Sequence, residues 1–197
     1  MEIQNRYFAL RHGLSVANEQ RLIISHPENA IEGWGLSERG VQECRRLLAP
    51  QQLAAHAFSR DDTITYTSDF RRASETARIF CELNDLEEPI VDIRLRERNF
   101  GRFENRSIDA YDQVWARDVG DDSHTFEGCE STSALAVRLR DLLADLESRW
   151  QGKSIVLVSH GDPLQVFQTI LRGMKCNAHR TLPHLGNAEL RRLGGGA

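Results

Sequence analysis

The chain has 197 residues, of which 40% are hydrophobic and 27% are charged, and its formal net charge is −4 at pH 7. This length is enough for one domain with its own hydrophobic core, so we expect a single domain over residues 1–197. The negative charge does not favour binding to nucleic acid or to an anionic membrane, and no apolar run approaches the roughly 18 residues that a membrane-spanning helix needs.

The cysteines and the N-terminal residues indicate a reducing compartment. The four cysteines are widely separated in the chain: Cys44, Cys81, Cys129 and Cys176. They form no Cys-x-x-Cys pair and have no histidine at zinc-finger spacing, so we expect reduced, buried thiols and no metal site. The first residues lack a basic region followed by an apolar one, which predicts no secretory signal and a cytoplasmic location.

An apolar segment at residues 7–10 ends abruptly at Arg11, His12 and Gly13. The apolar run is typical of a buried strand, and Gly13 marks the turn that ends it. Arg11 and His12 are therefore expected at the carboxyl end of a strand, which is the edge where open α/β sheets bind ligands. Residues 14–18 are expected to form a short helical turn whose free N–H groups face the same edge.

The next segment has no clear periodicity. Residues 19–35 contain Pro27 and Gly33, which predict a long loop, and loops of this length in compact domains are usually functional or disordered. Ser37 is placed to cap a helix that carries one apolar stripe. Pro50 either ends this helix or begins a second one.

The rest of the chain alternates strands with helices. Strands are predicted at residues 63–67, 90–93 and 154–158, helices at 70–83, 131–150 and 163–171, and a possible edge strand before a flexible end at 194–196. Ser68 and Asp69 are expected to cap the first of these helices. The strand at 154–158 is nearly all apolar, which predicts a central position. This alternation predicts an α/β fold, a three-layer α/β/α sandwich with a mostly parallel central sheet.

Two of the predicted strands end in a histidine followed by a glycine: His12 with Gly13, and His160 with Gly161. Either histidine alone is more often structural, but the pair, with Arg11 beside the first, favours a shared site at one sheet edge. A neutral imidazole can attack phosphorus while arginines and a second imidazole hold the phosphoryl oxygens. The pattern therefore indicates phosphoryl transfer.

Residues 11–18, Arg-His-Gly-Leu-Ser-Val-Ala-Asn, resemble the Arg-His-Gly-x-Ser-x-x-Asn signature of the histidine phosphatase superfamily, also called the phosphoglycerate mutase-like family. Further segments resemble the family's motifs in the family's order: Leu-Ser-Glu-Arg-Gly at 36–40, Ser-Asp-Phe-Arg-Arg-Ala-Ser-Glu-Thr-Ala at 68–77 and Val-Ser-His-Gly at 158–161. The loop at 95–104 is similar to the loop that carries the family's acid, and residues 128–131 match less closely. The resemblance covers almost the whole chain.

The resemblance implies a phosphoglycerate mutase-like fold and assigns roles to five residues. His12 would carry the phosphoryl group as phosphohistidine, with Arg11, Arg72 and His160 binding its oxygens; the match selects Arg72 rather than its neighbour Arg71. Glu97 would protonate the leaving alkoxide and then activate the water that cleaves phosphohistidine, although without the motif an exposed acid would be the simpler interpretation. Because arginine and histidine neutralise the phosphoryl charge, no metal ion or other cofactor is expected.

Four further residues are expected to contact the substrate or its phosphate: Asn18, Gly161, Arg98 and Arg102. The first two belong to the histidine motifs, whereas the two arginines flank Glu97 on a loop expected to lie over the pocket. There the arginines would bind a second anionic group of the substrate, although solvated surface arginines would show the same pattern. Asp162, which follows the second motif, is expected to contact a hydroxyl group or to cap a helix.

The favoured function is a metal-independent phosphomonoesterase that acts on a small phosphorylated metabolite. The same chemistry would serve a cofactor-dependent phosphoglycerate mutase, but such mutases usually have a longer insertion between the acid and the second histidine. A catalytically inactive binding module of the same fold is disfavoured, because a module without activity has no physical need for all five residues. The sequence leaves the substrate and the oligomeric state open.

Overall fold

The computed structural model describes residues 2–194 of the chain. Its strands are β1 Arg6–Arg11, β2 Thr63–Thr67, β3 Ile90–Val91, β4 Ser154–Ser159 and β5 Leu190–Leu193. Its α-helices are α1 Val16–Glu19, α2 Pro27–Ala30, α3 Glu38–Leu47, α4 Pro50–Leu53, α5 Arg71–Leu83, α6 Tyr111–Asp118, α7 Thr132–Arg149 and α8 Gly161–Leu171. Of the flexible end predicted at 194–196, the last two residues lie outside the described residues.

The strands form one five-stranded sheet in the order β3-β2-β4-β1-β5. β3 pairs parallel with β2, and β2 and β1 pair parallel with β4, whereas β5 runs antiparallel to β1 at the edge. Every residue of β4 is buried, as expected of an apolar strand that is covered on both faces. The predictions of a mostly parallel sheet, a central fourth strand and a C-terminal edge strand are confirmed.

Helices cover both faces of the sheet, because successive side chains of a strand point to opposite faces. On one face, Tyr7 and Leu157 pack against the leucines of α7 and against α8. On the other face, Phe8 and Val158 pack against α3 and α5. The predicted three-layer sandwich is confirmed, as are the buried, unpaired states of the four cysteines. None of the helices in the described part of the chain is long and apolar enough to cross a membrane.

Some predicted boundaries are wrong for local reasons. The third strand ends at Val91, because the Asp92 side chain accepts a hydrogen bond from the Arg94 N–H and starts a tight turn. Ser68 does not cap α5; it accepts the N–H of Phe70 in the turn before that helix. The long loop expected at residues 19–35 contains the short helix α2. Pro50 begins the helix α4, which is one of the two alternatives that the sequence leaves open for it.

Candidate active site

Parallel pairing of β1 with β4 brings the two motif histidines together. The register pairs Arg11 with Ser159, so His12 and His160 each lie one residue beyond the paired strand ends. The His12 N–H donates to the Ser159 carbonyl at 3.0 Å, and the centroids of the two imidazole rings are 5.1 Å apart. The sheet register therefore creates the two-histidine edge that the strand pattern predicts.

The hydrogen bonds of His12 determine its tautomer. Its Nδ1 lies 2.8 Å from the Gly13 carbonyl, which can only accept, so Nδ1 carries the proton. Nε2 is then unprotonated and lies 3.2 Å from Nε of Arg72. Burial, followed by the charges of Arg72 and Arg11, lowers the pKa of His12 well below its ordinary value. The ring is therefore neutral at pH 7, and Nε2 keeps the lone pair that a nucleophile needs.

Two arginines flank His12. Arg72 lies in the first turn of α5, where the helix dipole disfavours a cation, and its Nη2 donates to the Ile24 carbonyl at 3.0 Å. Arg11 donates through Nη1 to the Leu185 carbonyl at 2.8 Å. Neither guanidinium has a carboxylate partner among the described residues, so both charges are available to an anion.

Ser68 orients the second histidine. The Phe70 N–H donates to Ser68 Oγ at 3.2 Å, which leaves the hydroxyl hydrogen free to donate to Nε2 of His160, 3.1 Å away. His160 then carries its own proton on Nδ1. Burial, followed by the charge of Arg72, lowers the pKa of His160 well below its ordinary value, so this histidine acts as a neutral N–H donor.

Three nitrogen atoms at this edge are buried without a hydrogen-bond partner in the described part of the chain: Arg11 Nε, Arg72 Nη1 and His160 Nδ1. We call these three donors the oxyanion cradle. A buried donor left unpaired costs about 1–3 kcal/mol, and more when the group is charged. A phosphoryl group, with three strong acceptor oxygens, has the charge and the acceptors to satisfy all of them.

Glu97 lies in the wall of a cavity that it shares with His12 and Arg72. Its Oε1 accepts the N–H of Arg98 at 2.9 Å. Burial and then the negative charge of Asp162 raise the pKa of Glu97 to about 7, although the nearby arginines oppose the shift. At neutral pH this carboxyl can therefore give a proton and later take one, as an acid that turns into a base must.

The cavity beside these residues has a volume of about 220 Å³. This size suits a small metabolite, since pockets for drug-sized ligands hold about 300–1,000 Å³. Part of its wall is apolar and consists of Ala17, Leu22, Ile24, Phe100 and Ile108. The wall includes residues from the loop predicted at 19–35 and from the segment 108–129. Among the described residues, no group of three or more His, Cys, Asp or Glu side chains could hold a metal ion.

Asn18 and Gly161 also line the cavity. The Oδ1 of Asn18 accepts the N–H of Ser15 at 3.1 Å in a capping box that begins α1. Its Nδ2 makes no hydrogen bond within the described residues and is available to a ligand. Gly161 begins α8 directly after the second histidine, so the two motifs contribute backbone as well as side chains to the cavity.

The expected contact of Arg98 with a second anionic group of the substrate is wrong. Its side chain is 0% exposed, and its guanidinium donates to the two oxygens of Asp118 at 2.7 and 2.8 Å and to Asp162 at 3.3 Å. The same expectation for Arg102 is wrong for the opposite reason. Its side chain is 85% exposed and lies outside the cavity wall, 3.4 Å from Glu127.

Four polar wall residues were not singled out in the sequence: Tyr111, Trp115, Arg180 and His184. Tyr111 and Trp115 are four residues apart on α6, and their rings stack with centroids 4.8 Å apart. That spacing is a detectable signal, because it places two aromatic side chains on one helix face. Arg180, whose guanidinium lies 3.6 Å over the Trp115 ring, belongs to a 3-10 helix at Cys176–Thr181. His184 lies in the loop after that helix, and neither segment carries a sequence pattern that points to the cavity.

Comparisons with known proteins connect this site to a family. A family model described as histidine phosphatase superfamily (branch 1) matches residues 7–196. A probable phosphoglycerate mutase of Photorhabdus laumondii is 31% identical, over 94% of this chain and 83% of the relative. Another, from Enterobacter sp. (strain 638), is 29% identical with the same coverage. A solved structure of mycobacterial glucosyl-3-phosphoglycerate phosphatase in complex with VO3 is 27% identical, with a TM-score of 0.77 over 98% of this chain and 92% of that chain. Because the family match spans nearly the whole chain, including both strand-end histidines, the protein belongs to the histidine phosphatase superfamily.

Proposed function

We propose that the protein is a phosphomonoesterase that acts through a phosphohistidine intermediate on a small phosphorylated metabolite. The observation that carries the proposal is the oxyanion cradle, whose buried donors lie beside the unprotonated Nε2 of His12. A nucleophile with a free lone pair next to unpaired cationic donors suits a phosphoryl group. The similar mycobacterial phosphatase, whose structure contains VO3, supports this interpretation.

In the first step, His12 Nε2 attacks phosphorus, and the ester P–O bond breaks as the N–P bond forms. The oxyanion cradle and its arginines stabilise the phosphoryl oxygens while negative charge moves to the leaving oxygen. Protonated Glu97 gives its proton to that oxygen, which leaves as an alcohol. The Nδ1–H bond of His12 to the Gly13 carbonyl stabilises the positive charge that the ring acquires.

In the second step, ionised Glu97 takes a proton from water as the water oxygen attacks phosphorus. The N–P bond breaks, which returns neutral His12, releases inorganic phosphate and leaves Glu97 protonated for the next turnover. Arginine and histidine supply the charge stabilisation, so the proposed reaction requires no metal ion.

A phosphoglycerate mutase is the second candidate, because the relatives from Photorhabdus and Enterobacter carry that name. Such an enzyme transfers the phosphoryl group from phosphohistidine to a phosphoglycerate, whereas a phosphatase transfers it to water. The apolar part of the cavity wall, which includes Leu22, Ile24 and Ile108, supports hydrolysis of a different ester. A phosphoglycerate carries a polar group on every carbon and therefore gains no favourable apolar contact with this wall.

The cytoplasmic location that the sequence predicts stays a prediction.

The test is the turnover of phosphate esters by the purified protein in EDTA. We expect release of inorganic phosphate from alkyl and aryl phosphates. Brief incubation with a substrate that carries a radioactive phosphate group, followed by quenching without acid, should leave a labelled phosphoryl group on His12. His12→Ala should abolish both the label and turnover. Arg102→Ala is the matched control, because its exposed side chain lies outside the cavity wall, and it should keep full activity.

The outcomes separate the candidate functions. Interconversion of phosphoglycerates with little release of phosphate would identify a mutase instead. Activity retained by His12→Ala would refute the phosphohistidine intermediate, and no activity on any ester would favour the inactive binding module. A screen of phosphorylated metabolites, scored by phosphate release, would then identify the substrate.

A further inference from the structure

A buried ion network lies directly behind Glu97. Its centre is Arg98, which is 0% exposed and whose backbone N–H donates to Glu97 Oε1 at 2.9 Å. The guanidinium of the same residue donates to Asp118 at 2.7 and 2.8 Å and to Asp162 at 3.3 Å. One residue therefore contacts the proposed acid through its backbone and two buried carboxylates through its side chain.

The two carboxylates of this network are unequally neutralised. Asp118 accepts both of the short hydrogen bonds from Arg98. Within the described chain, Asp162 has only longer contacts with guanidinium groups, 3.3 Å to Arg98 and 3.5 Å to Arg180, together with a 3.2 Å hydrogen bond from the Trp115 indole N–H. Asp162 is 3% exposed, so little water screens the negative charge that these contacts leave uncompensated.

Asp162 lies in the first turn of α8 and lines the same cavity as Glu97. Two carboxyl groups that share a site do not both ionise easily, and the one with the better cationic partners keeps the charge. The N-terminal end of α8 further stabilises an anion at Asp162. Burial would raise the pKa of Asp162, but Arg98 and the other nearby cations hold it below its ordinary value. Burial and the charge of Asp162 raise the pKa of Glu97 to about 7.

We propose that Asp162 is a positioning residue that keeps the Glu97 carboxyl protonated in the free enzyme, so that Glu97 enters the first step as an acid. The inference rests on the proposed function, in which Glu97 protonates the leaving alcohol. The other charged or titratable groups that face Glu97 come from β1, α5, α6 and α7: Arg11, Arg72, Tyr111 and Arg138. Those that face Asp162 are Arg98, His179, Arg180 and His184, together with Arg11 and Tyr111 of the shared wall. The arginines around Glu97 favour its ionisation, and the charge of Asp162 opposes them.

The variant Asp162→Asn removes the charge and keeps an acceptor for the Trp115 N–H. The alkaline limb of kcat/KM for an alkyl phosphate reports the deprotonation of Glu97 in the free enzyme. We expect this limb to move to lower pH by about one unit. At pH 8 the variant should process the alkyl ester about tenfold more slowly than the wild type, and at pH 5.5 nearly as fast. kcat/KM for p-nitrophenyl phosphate should lose less, because its leaving group scarcely needs a proton.

Two further variants make the test specific. Asp69→Asn is the matched control, because Asp69 forms an ion pair with Arg96 beside Glu97 but lies outside the cavity wall. The alkaline limb of kcat/KM for this variant should stay at the wild-type pH. Arg180→Gln removes a cation near Asp162, so we expect its limb to move to higher pH. The Arg180 side chain is 27% exposed, so this variant should fold even where Asp162→Asn does not.

The results distinguish the role of Asp162 from the proposed function. An unmoved limb in a folded Asp162→Asn variant, an equal shift in Asp69→Asn, or a loss of the same size at every pH would overturn the role of Asp162. If Asp162→Asn does not fold, an unmoved or acid-shifted limb in Arg180→Gln would overturn it. The proposed role of Glu97 fails separately, if Glu97→Gln leaves alkyl phosphate turnover intact.

Discussion

Replacement of Glu97 with glutamine should stabilise the fold while it disables the proposed acid. Glutamine keeps the acceptor for the Arg98 N–H but removes a carboxyl whose pKa the fold raises from 4.5 to about 7, through burial and then Asp162. Between those two values the folded protein binds more protons at this group than the unfolded chain does. The free energy of unfolding of the wild type therefore falls as the pH rises through that interval. Glutamine does not ionise, so the variant does not lose this part of its stability.

The expected magnitude follows from the shift. The rise of the Glu97 pKa from 4.5 to about 7, at about 1.4 kcal/mol per pKa unit, sets an upper limit of about 3 kcal/mol at pH values well above 7. Glu97 is only partly buried at the cavity wall, and water there screens its charge, so we expect the variant to gain about 1–3 kcal/mol. At pH values well below 4.5 the difference between the two proteins should be constant, because the carboxyl is then protonated in both the folded and the unfolded state.

Urea denaturation at pH 5, 6, 7 and 8 measures this difference. The buffers must contain no phosphate or sulfate, because an anion in the oxyanion cradle would change the charge beside Glu97. The lowered pKa values of His12 and His160 give both proteins a further pH dependence, which cancels in the difference. A stability difference that does not widen between pH 5 and pH 8 would refute the raised pKa of Glu97.

Two further predictions concern stability. A Cβ at Gly40 would lie 1.9 Å from the backbone oxygen of Leu14, so Gly40→Ala should destabilise the fold by about 3 kcal/mol or more, whereas Gly120→Ala, with nothing within 4 Å of its Cβ, should not. Thermal unfolding of the two variants measures this difference in stability, and equal melting temperatures would contradict the predicted clash at Gly40. Arg98→Ala leaves two buried carboxylates without their main partner and should cost about 3–5 kcal/mol in urea denaturation. The exposed Arg102→Ala should change stability by less than about 0.5 kcal/mol, and similar losses in both variants would disprove the burial argument.

The sequence alone was sufficient to predict the two-histidine edge. An apolar run that stops at a histidine and a glycine predicts a strand end locally, and a mostly parallel sheet places such ends on one edge. His12 and His160 follow residues that the observed register pairs directly. The choice of Arg72 over Arg71 came from the family motif, since both occupy the first turn of α5. In the structure Arg72 is 4% exposed, whereas Arg71 forms an exposed pair with Glu75.

Only the tertiary structure decided which of the other arginines faces the cavity. Arg98 follows Glu97 and was expected there, but its guanidinium is bound by carboxylates 20 and 64 residues further along the chain. Arg180 lines the cavity because it stacks on Trp115, which no motif or periodicity connects to it. A strand end depends on short-range patterns that a sequence displays directly. The partner of a charged side chain depends on which distant segments the completed fold brings into contact, and no local pattern contains that information.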